Sequence, residues 1–308
     1  LNETFEENIS PDYLIPILSH IAGQTIVKEK TLIVFDEVQL CGRALTSLKY
    51  FCEDAPDYHI IVAGSLLGVA VNRAKFSFPV GKVDMKTLYP MDMEEFMLAL
   101  GEDDLVEQIK KCFQTDTPLP SALHDAAMQL YRQYLVVGGM PECVMQFAET
   151  KDYILVRHTQ DTILASYLND MSKYNNLNEI KKTRLAYDNI TVQLSKKNTR
   201  FQYKLIKKGG RASEFENAIE WLCLSGIVSQ VYKVEQIKKP LENYRDIDAF
   251  KIYVSDLGLL CAQKDLTAND ILYMVEEIND FKGGMAENYV NVQLSINGYH
   301  TYYWESER

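Results

Sequence analysis

Much of what a chain of this length could carry is missing from this one. Its six cysteines (Cys41, Cys52, Cys112, Cys143, Cys223 and Cys261) form no C-x-x-C pair. That spacing excludes a zinc knuckle and a compact disulfide framework, and it points to a reducing cytoplasm. No apolar run approaches the roughly 18 residues that would span a bilayer, so no membrane partner is expected. The five histidines (His20, His59, His124, His158 and His300) stand alone, without the H-E-x-x-H spacing of a metal site. No G-x-S-x-G elbow occurs, and no cysteine has a histidine signature nearby. Positive charge is scarce: 32 Lys and Arg against 43 Asp and Glu leave a net charge of −11. A general nucleic-acid-coating role is excluded on that ground, although a local basic patch is not. There is no internal repeat and no low-complexity segment. The phosphate-cradling glycine loop G-x-x-x-x-G-K-[ST] is absent as well.

The ends are also bare. The chain opens "LNETFEENIS", without an initiator Met or a basic, apolar leader, and closes "GYHTYYWESER", a strand stopped in mid-course. Both ends read as cut, so the expectation is an internal fragment of a longer protein.

What remains is an ordinary globular composition, 47% apolar and 24% charged, over 308 residues, enough for two or three domains. The most informative stretch is "TLIVFDEVQL", residues 31–40. Apolar residues Leu32 to Phe35 predict a parallel strand covered on both faces, and it runs into adjacent carboxylates, Asp36 and Glu37. Upstream, "PDYLIPILSHIA" spaces Leu14, Ile15, Leu18 and Ile21 as a helix does. Downstream, "RALTSLKYFCED" predicts a helix and "YHIIVAGSLLG" a second buried strand. Strand, helix, strand is a βαβ unit with a right-handed crossover.

ATP hydrolysis needs Mg²⁺ on the phosphates and a group that orients or deprotonates the attacking water. Asp36 at a strand end suits the metal's water shell, and Glu37 suits the water. A parallel strand also ends in an acid simply because ligands and solvent lie beyond its carboxyl end. The next strand ends at Ser65, where a polar residue can sense the γ-phosphate, or where Gly64-Ser65 forms a plain turn.

Beyond about residue 90 the spacing turns helical, through "MDMEEFMLAL", "DDLVEQIKKCF", "ALHDAAMQLYRQYLVVGG" and "YILVRHTQDTILASYLNDM". In "VVGGMPECV", Gly138 and Gly139 close one helix and Pro141 opens the next, a structural junction. Residues 180–260 predict two amphipathic helices, "IKKTRLAYDNITVQLS" and "RASEFENAIEWLCLSGI". Two strands follow, "IVSQVYKVEQ" and "FKIYVSDLGLL", joined by a loop containing Pro240. That order is the outline of a winged helix. From Lys196 to Arg211 there are seven basic residues and no acidic one. Lys204, Lys207 and Lys208 are the candidate DNA contacts, with Phe201 and Tyr203 adding area; the alternative is a solvated face or a protein-binding module.

Taken in order, "TLIVFDEVQ", "RALTSLKYFCE", "AGSLLGV", "FPVGKVDMKTLYPMDMEEF", "YLVVGGMPE", "EWLCLSGIV" and "FKIYVSDLGLL" resemble the prokaryotic AAA-type ATPases whose C-terminal half is a widespread domain of unknown function. The resemblance covers nearly the whole chain. It implies ATP and Mg²⁺ as cofactors and a partial P-loop, AAA-type parallel α/β core over residues 1–100. A helical region over 101–179, a winged-helix-like module over 180–265 and the start of a nuclease-like α/β domain over 266–308 complete the expected organisation. Asp36 then looks like the Walker B aspartate, Glu37 like the catalytic glutamate and Ser65 like the sensor. The basic position after Gly81, typically Arg in these proteins, is Lys82, which lacks Arg's bidentate fork; Arg73 is a nearby substitute for contacting nucleotide. Residues 1–5 look like the end of the second core strand, which places the phosphate loop roughly 30 residues or more upstream. Glu287, on the helix of "GGMAENYVNVQL", looks like the helix acid of a restriction-endonuclease-like metal site, or like a surface glutamate. The partners implied are ATP, with DNA or another protein subunit as further possibilities.

Overall fold

The computed structural model describes residues 1–64, 79, 81–173, 177–194 and 200–306. They fall into two units, Leu1–Leu88 and Tyr89–Arg308.

In the first unit, helices α1 (Asn2–Glu7) and α2 (Pro11–Ala22) precede strand β1 (Leu32–Phe35), helix α3 (Gly42–Asp54) and strand β2 (His59–Val62). Proline at the first position of α2 has no amide to leave unsatisfied, and Gly23 ends the helix in the left-handed region at φ 64°. The two strands are parallel, in register from Leu32 opposite His59 to Phe35 opposite Val62, with α3 as the crossover. The βαβ unit read from the sequence is therefore present. Its core gathers Phe5, Leu14, Leu18, Val38, Leu45, Leu48 and Phe51.

Two expectations for this unit are corrected. Residues 1–5 are not a strand. They enter α1, where Phe5 N donates to Leu1 O at 3.2 Å, and Phe5 meets the Phe35 ring edge-on at 5.6 Å. A strand needs a neighbour to pair with, whereas a helix satisfies its own backbone. The second correction concerns β1, which is covered on one face only. Ile33 is buried, yet Leu32, Val34 and Ile61 are 53%, 56% and 54% exposed. Successive side chains alternate between faces, and the core lies behind one of them.

The second unit opens on helix α4 (Met93–Ala99), started by a reciprocal capping box between Asp92 and Glu95. Helices α5 (Asp103–Gln114), α6 (Ser121–Val137), α7 (Pro141–Thr150) and α8 (Tyr153–Lys173) follow. Next come α9 (Leu177–Leu194), a short α10 (Tyr203–Ile206), α11 (Ala212–Leu224), and the strands β3 (Val228–Val234) and β4 (Arg245–Val254). The chain continues through α12 (Leu257–Gln263), α13 (Ala268–Leu272), the long α14 (Asn279–Ile296) and β5 (Tyr302–Tyr303). The sheet order is β4-β3-β5, with β3 antiparallel to β4 and parallel to β5. "FKIYVSDLGLL" is thus only half a strand: β4 stops at Val254, and Asp256 caps α12 by accepting from Leu259 N at 2.8 Å.

Asp256 also ties the glycine junction together. Its second oxygen accepts from Gly139 N at 2.6 Å, Gly139 O accepts from Met91 N at 2.7 Å, and Tyr134 Oη donates to Met91 O at 2.8 Å. Gly138 sits at φ +77°, and a Cβ there would lie 2.3 Å from Asp256 Oδ1. At Gly139 a Cβ would lie 2.1 Å from Met91 O. Close packing requires both glycines, and the positive φ of the turn requires Gly138 as well.

Candidate functional site

The acid pair follows directly from the end of β1. Phe35 O still accepts from Ala63 N at 2.8 Å, and Val38 N donates to Ala63 O at 3.0 Å. The turn after β1 is thereby stitched to the carboxyl end of β2. Between these two anchors the chain must reverse tightly, and Glu37 takes the left-handed conformation, φ 50° and ψ 39°. For a residue with a Cβ that conformation costs about 1 kcal/mol or more. Its neighbours hold it there: Leu40 N donates to Glu37 O at 2.9 Å, and the Val38 side chain is buried.

Asp36 and Glu37 are both exposed. Asp36 Oδ1 accepts from Glu37 N at 2.9 Å, which fixes one oxygen and leaves the other for a ligand. Glu37 Oε2 accepts from the side-chain amide of Gln39. Sequence reasoning missed Gln39; its only signal was a polar side chain two residues beyond the glutamate, on a single 3-10 turn spanning Val38–Leu40.

The other expected nucleotide residues are distributed as follows. Lys82 lies in the same unit and pairs with Glu53 at the end of α3, Nζ to Oε1 3.0 Å. Their contact raises the lysine's pKa and lowers the glutamate's. A phosphate contact by Lys82 would share the ammonium with Glu53, which takes only one of its three donors. Ser65 and Arg73 lie outside the described residues.

The basic stretch belongs to the second unit. Lys204, Lys207 and Lys208 are exposed on and just after α10, and Lys207 Nζ meets Glu214 Oε1 at 2.9 Å. Phe201, expected to add contact area, is instead core: it is 6% exposed and its ring stacks on Phe250 at 5.6 Å. An aromatic beside a strand is drawn into the nearest apolar layer before it is offered to solvent.

Glu287 faces the same cleft as Val290 and Leu294, a space of about 650 Å³ between α14 and the 299–303 segment. Its Oε1 accepts from Lys251 Nζ at 2.5 Å and from Tyr253 Oη at 2.9 Å. Burial, followed by the Glu287 charge, raises the Tyr253 phenol above its ordinary range. Among the described residues no group of three or more His, Cys, Asp or Glu side chains could hold a metal ion. No helix among them is long and apolar enough to cross a membrane.

Residues 2–97 match the model of a family described as an AAA domain, and residues 128–270 match a domain of unknown function (DUF8612). Among solved structures the chain is similar to the Walker-type ATPase paby2304 of Pyrococcus abyssi. The identity is 13%, the match covers 86% of this chain and 68% of that one, and the TM-score is 0.48. No curated protein matches. The AAA match contains Asp36 and Glu37, and it supports an ATPase-like function for the first unit.

Proposed function

We propose that this chain is part of an ATP-hydrolysing AAA-type protein, with Asp36 serving the metal and Glu37 the attacking water. The observation that carries this reading is the acid pair at the carboxyl end of β1, within a βαβ unit and within the AAA match. In open parallel sheets ligands bind beyond the carboxyl ends of the strands. Carboxylate oxygens are the hard donors that Mg²⁺ prefers, so the donor set fits that ion. When bound, Mg²⁺ neutralises charge on the β- and γ-phosphates. Asp36 would hold its water shell through the oxygen not taken by Glu37 N. Glu37 would accept the proton of the water that attacks the γ-phosphorus. Ser65 is assigned to sensing the γ-phosphate, and Lys82 or Arg73 to contacting nucleotide.

The open face of the sheet is consistent with this reading. Leu32, Val34 and Ile61 offer the apolar surface on which a further strand-helix unit carrying the phosphate loop would pack. In a version that carries the loop, Glu37→Gln should bind ATP and lower turnover by about 100-fold or more, while Asp36→Ala should weaken Mg·ATP binding. Steady-state hydrolysis and nucleotide titration check both. Unchanged turnover in Glu37→Gln removes the catalytic assignment.

The coupled element, on this proposal, is the helix-helix-ribbon of α9, α11, β3 and β4, acting as a winged helix in a cytoplasmic protein. A second reading makes that module a DNA contact through Lys204, Lys207 and Lys208. It is favoured by their exposure in a stretch without acids. Nuclease chemistry at Glu287 is less well supported, because Lys251 and Tyr253 already occupy one of its oxygens.

A further inference from the structure

We propose that Gln39 is the positioning residue of the acid pair: its amide holds one oxygen of Glu37 and leaves the other to take the proton of the attacking water. The inference rests on reading Glu37 as the base of an ATPase site.

Three observations lead to it. Gln39 Nε2 donates to Glu37 Oε2, while nothing among the described residues donates to Oε1. The two side chains leave one short turn whose backbone is fixed at both ends by Ala63 and by the 3-10 bonds. Finally, Gln39 Oε1 is buried and has no hydrogen-bond partner among the described residues. Reversing the amide would set its oxygen against a carboxylate oxygen, so the donor must face Glu37. A buried amide with half its bonds unmade is a cost that Leu or Met at this position would not carry. Retaining it makes sense where the donor has work to do.

That work is geometric. A glutamate on an exposed turn samples several rotamers, and a base contributes only when its lone pair points at the water. With Oε2 pinned, Oε1 has one direction. The water oxygen bonds to the γ-phosphorus, and the bond from that phosphorus to the bridging oxygen breaks. Its electron pair leaves with the diphosphate, and the water proton passes to Glu37 Oε1. Gln39 touches none of the reacting atoms.

Two measurements test this. In the isolated chain labelled with ¹⁵N, the Gln39 side-chain amide resonances should shift and exchange faster in Glu37→Ala; unmoved resonances overturn the contact. In a version carrying the phosphate loop, Gln39→Leu should lower kcat about tenfold, the rate equivalent of one charge-assisted hydrogen bond, and the isosteric Gln39→Glu by more than that. KM for ATP should stay within about twofold, because the interaction removed matters only in the transition state. Gln39→Glu is expected to be the worse of the two, since it sets a second negative charge against Glu37. Full kcat in both variants, where Glu37→Gln has abolished turnover, sinks the proposal and spares the ATPase reading. Full turnover in Glu37→Gln itself sinks both.

Discussion

Asp256 is 2% exposed and carries a carboxylate into the interior of the second unit. Burial raises its pKa above the ordinary range against the pull of backbone amides from Leu259, Gly139, Gly258 and Met140. The folded state therefore keeps this proton to a higher pH than the unfolded chain does. The resulting stabilisation is complete below the unfolded pKa and is lost as pH rises through the folded one. Asp256→Ala removes the titration and also leaves the buried Gly139 and Leu259 amides without their acceptor. Urea unfolding should show the variant less stable by about 1–3 kcal/mol. The gap between the two proteins should be widest below the ordinary carboxylate pKa and should narrow as pH rises. A gap that widens toward neutrality contradicts the direction of the shift. At Glu37, by contrast, the feature of interest is a conformation: a side chain placed by a left-handed turn instead of by packing.

At the scale of elements, α9 and α14 meet at a glycine. A Cβ on Gly284 would lie 2.0 Å from Leu194 O, whereas one on Gly283 meets nothing within 4 Å. Gly284→Ala should force the helices apart and cost about 2 kcal/mol or more. Gly283→Ala, in the same helix, should be neutral or stabilise by about 0.5–1 kcal/mol. Thermal melts of the pair separate close helix packing from helix propensity. The helices were legible in the sequence because their apolar stripes recur at helical spacing, as in α2, α3, α6 and α9. The βαβ order was legible for a similar reason. What escaped were features set by particular contacts that the spacing of apolar residues does not record. "LGLL" after Asp256 has the composition of a strand, and only the capping bond from Asp256 makes it a helix. The apolar run of β1 says that one face is buried and is silent about the other. Gln39 was invisible because its role depends on a single bond to a neighbour on a turn.

For the whole molecule, charge sets the terms of any nucleic-acid contact. At −11 overall, attraction to phosphates can come only from a local patch. If the basic stretch binds DNA, replacing Lys204, Lys207 and Lys208 by Ala should weaken binding and flatten its salt dependence. Every lysine–phosphate pairing removed should lower the slope by about 0.9 for duplex DNA. Lys207 should contribute least, being paired with Glu214. Binding that ignores salt, or the three lysines, excludes the reading. The same scale applies to catalysis: the isolated chain, without a phosphate cradle, should show no ATP turnover above background in a phosphate-release assay.

The half-covered sheet has a further consequence, which concerns tolerance to substitution. Residues facing solvent usually change with effects within about 0.5 kcal/mol, whereas truncating a packed aliphatic costs several times that. Val34→Thr and Ile61→Thr should therefore be nearly silent in the stability of this chain studied alone. The same two changes should be costly wherever a further layer packs on them. A mutational scan of one strand, done with and without that layer, would show whether this face is a finished surface or half of an interior.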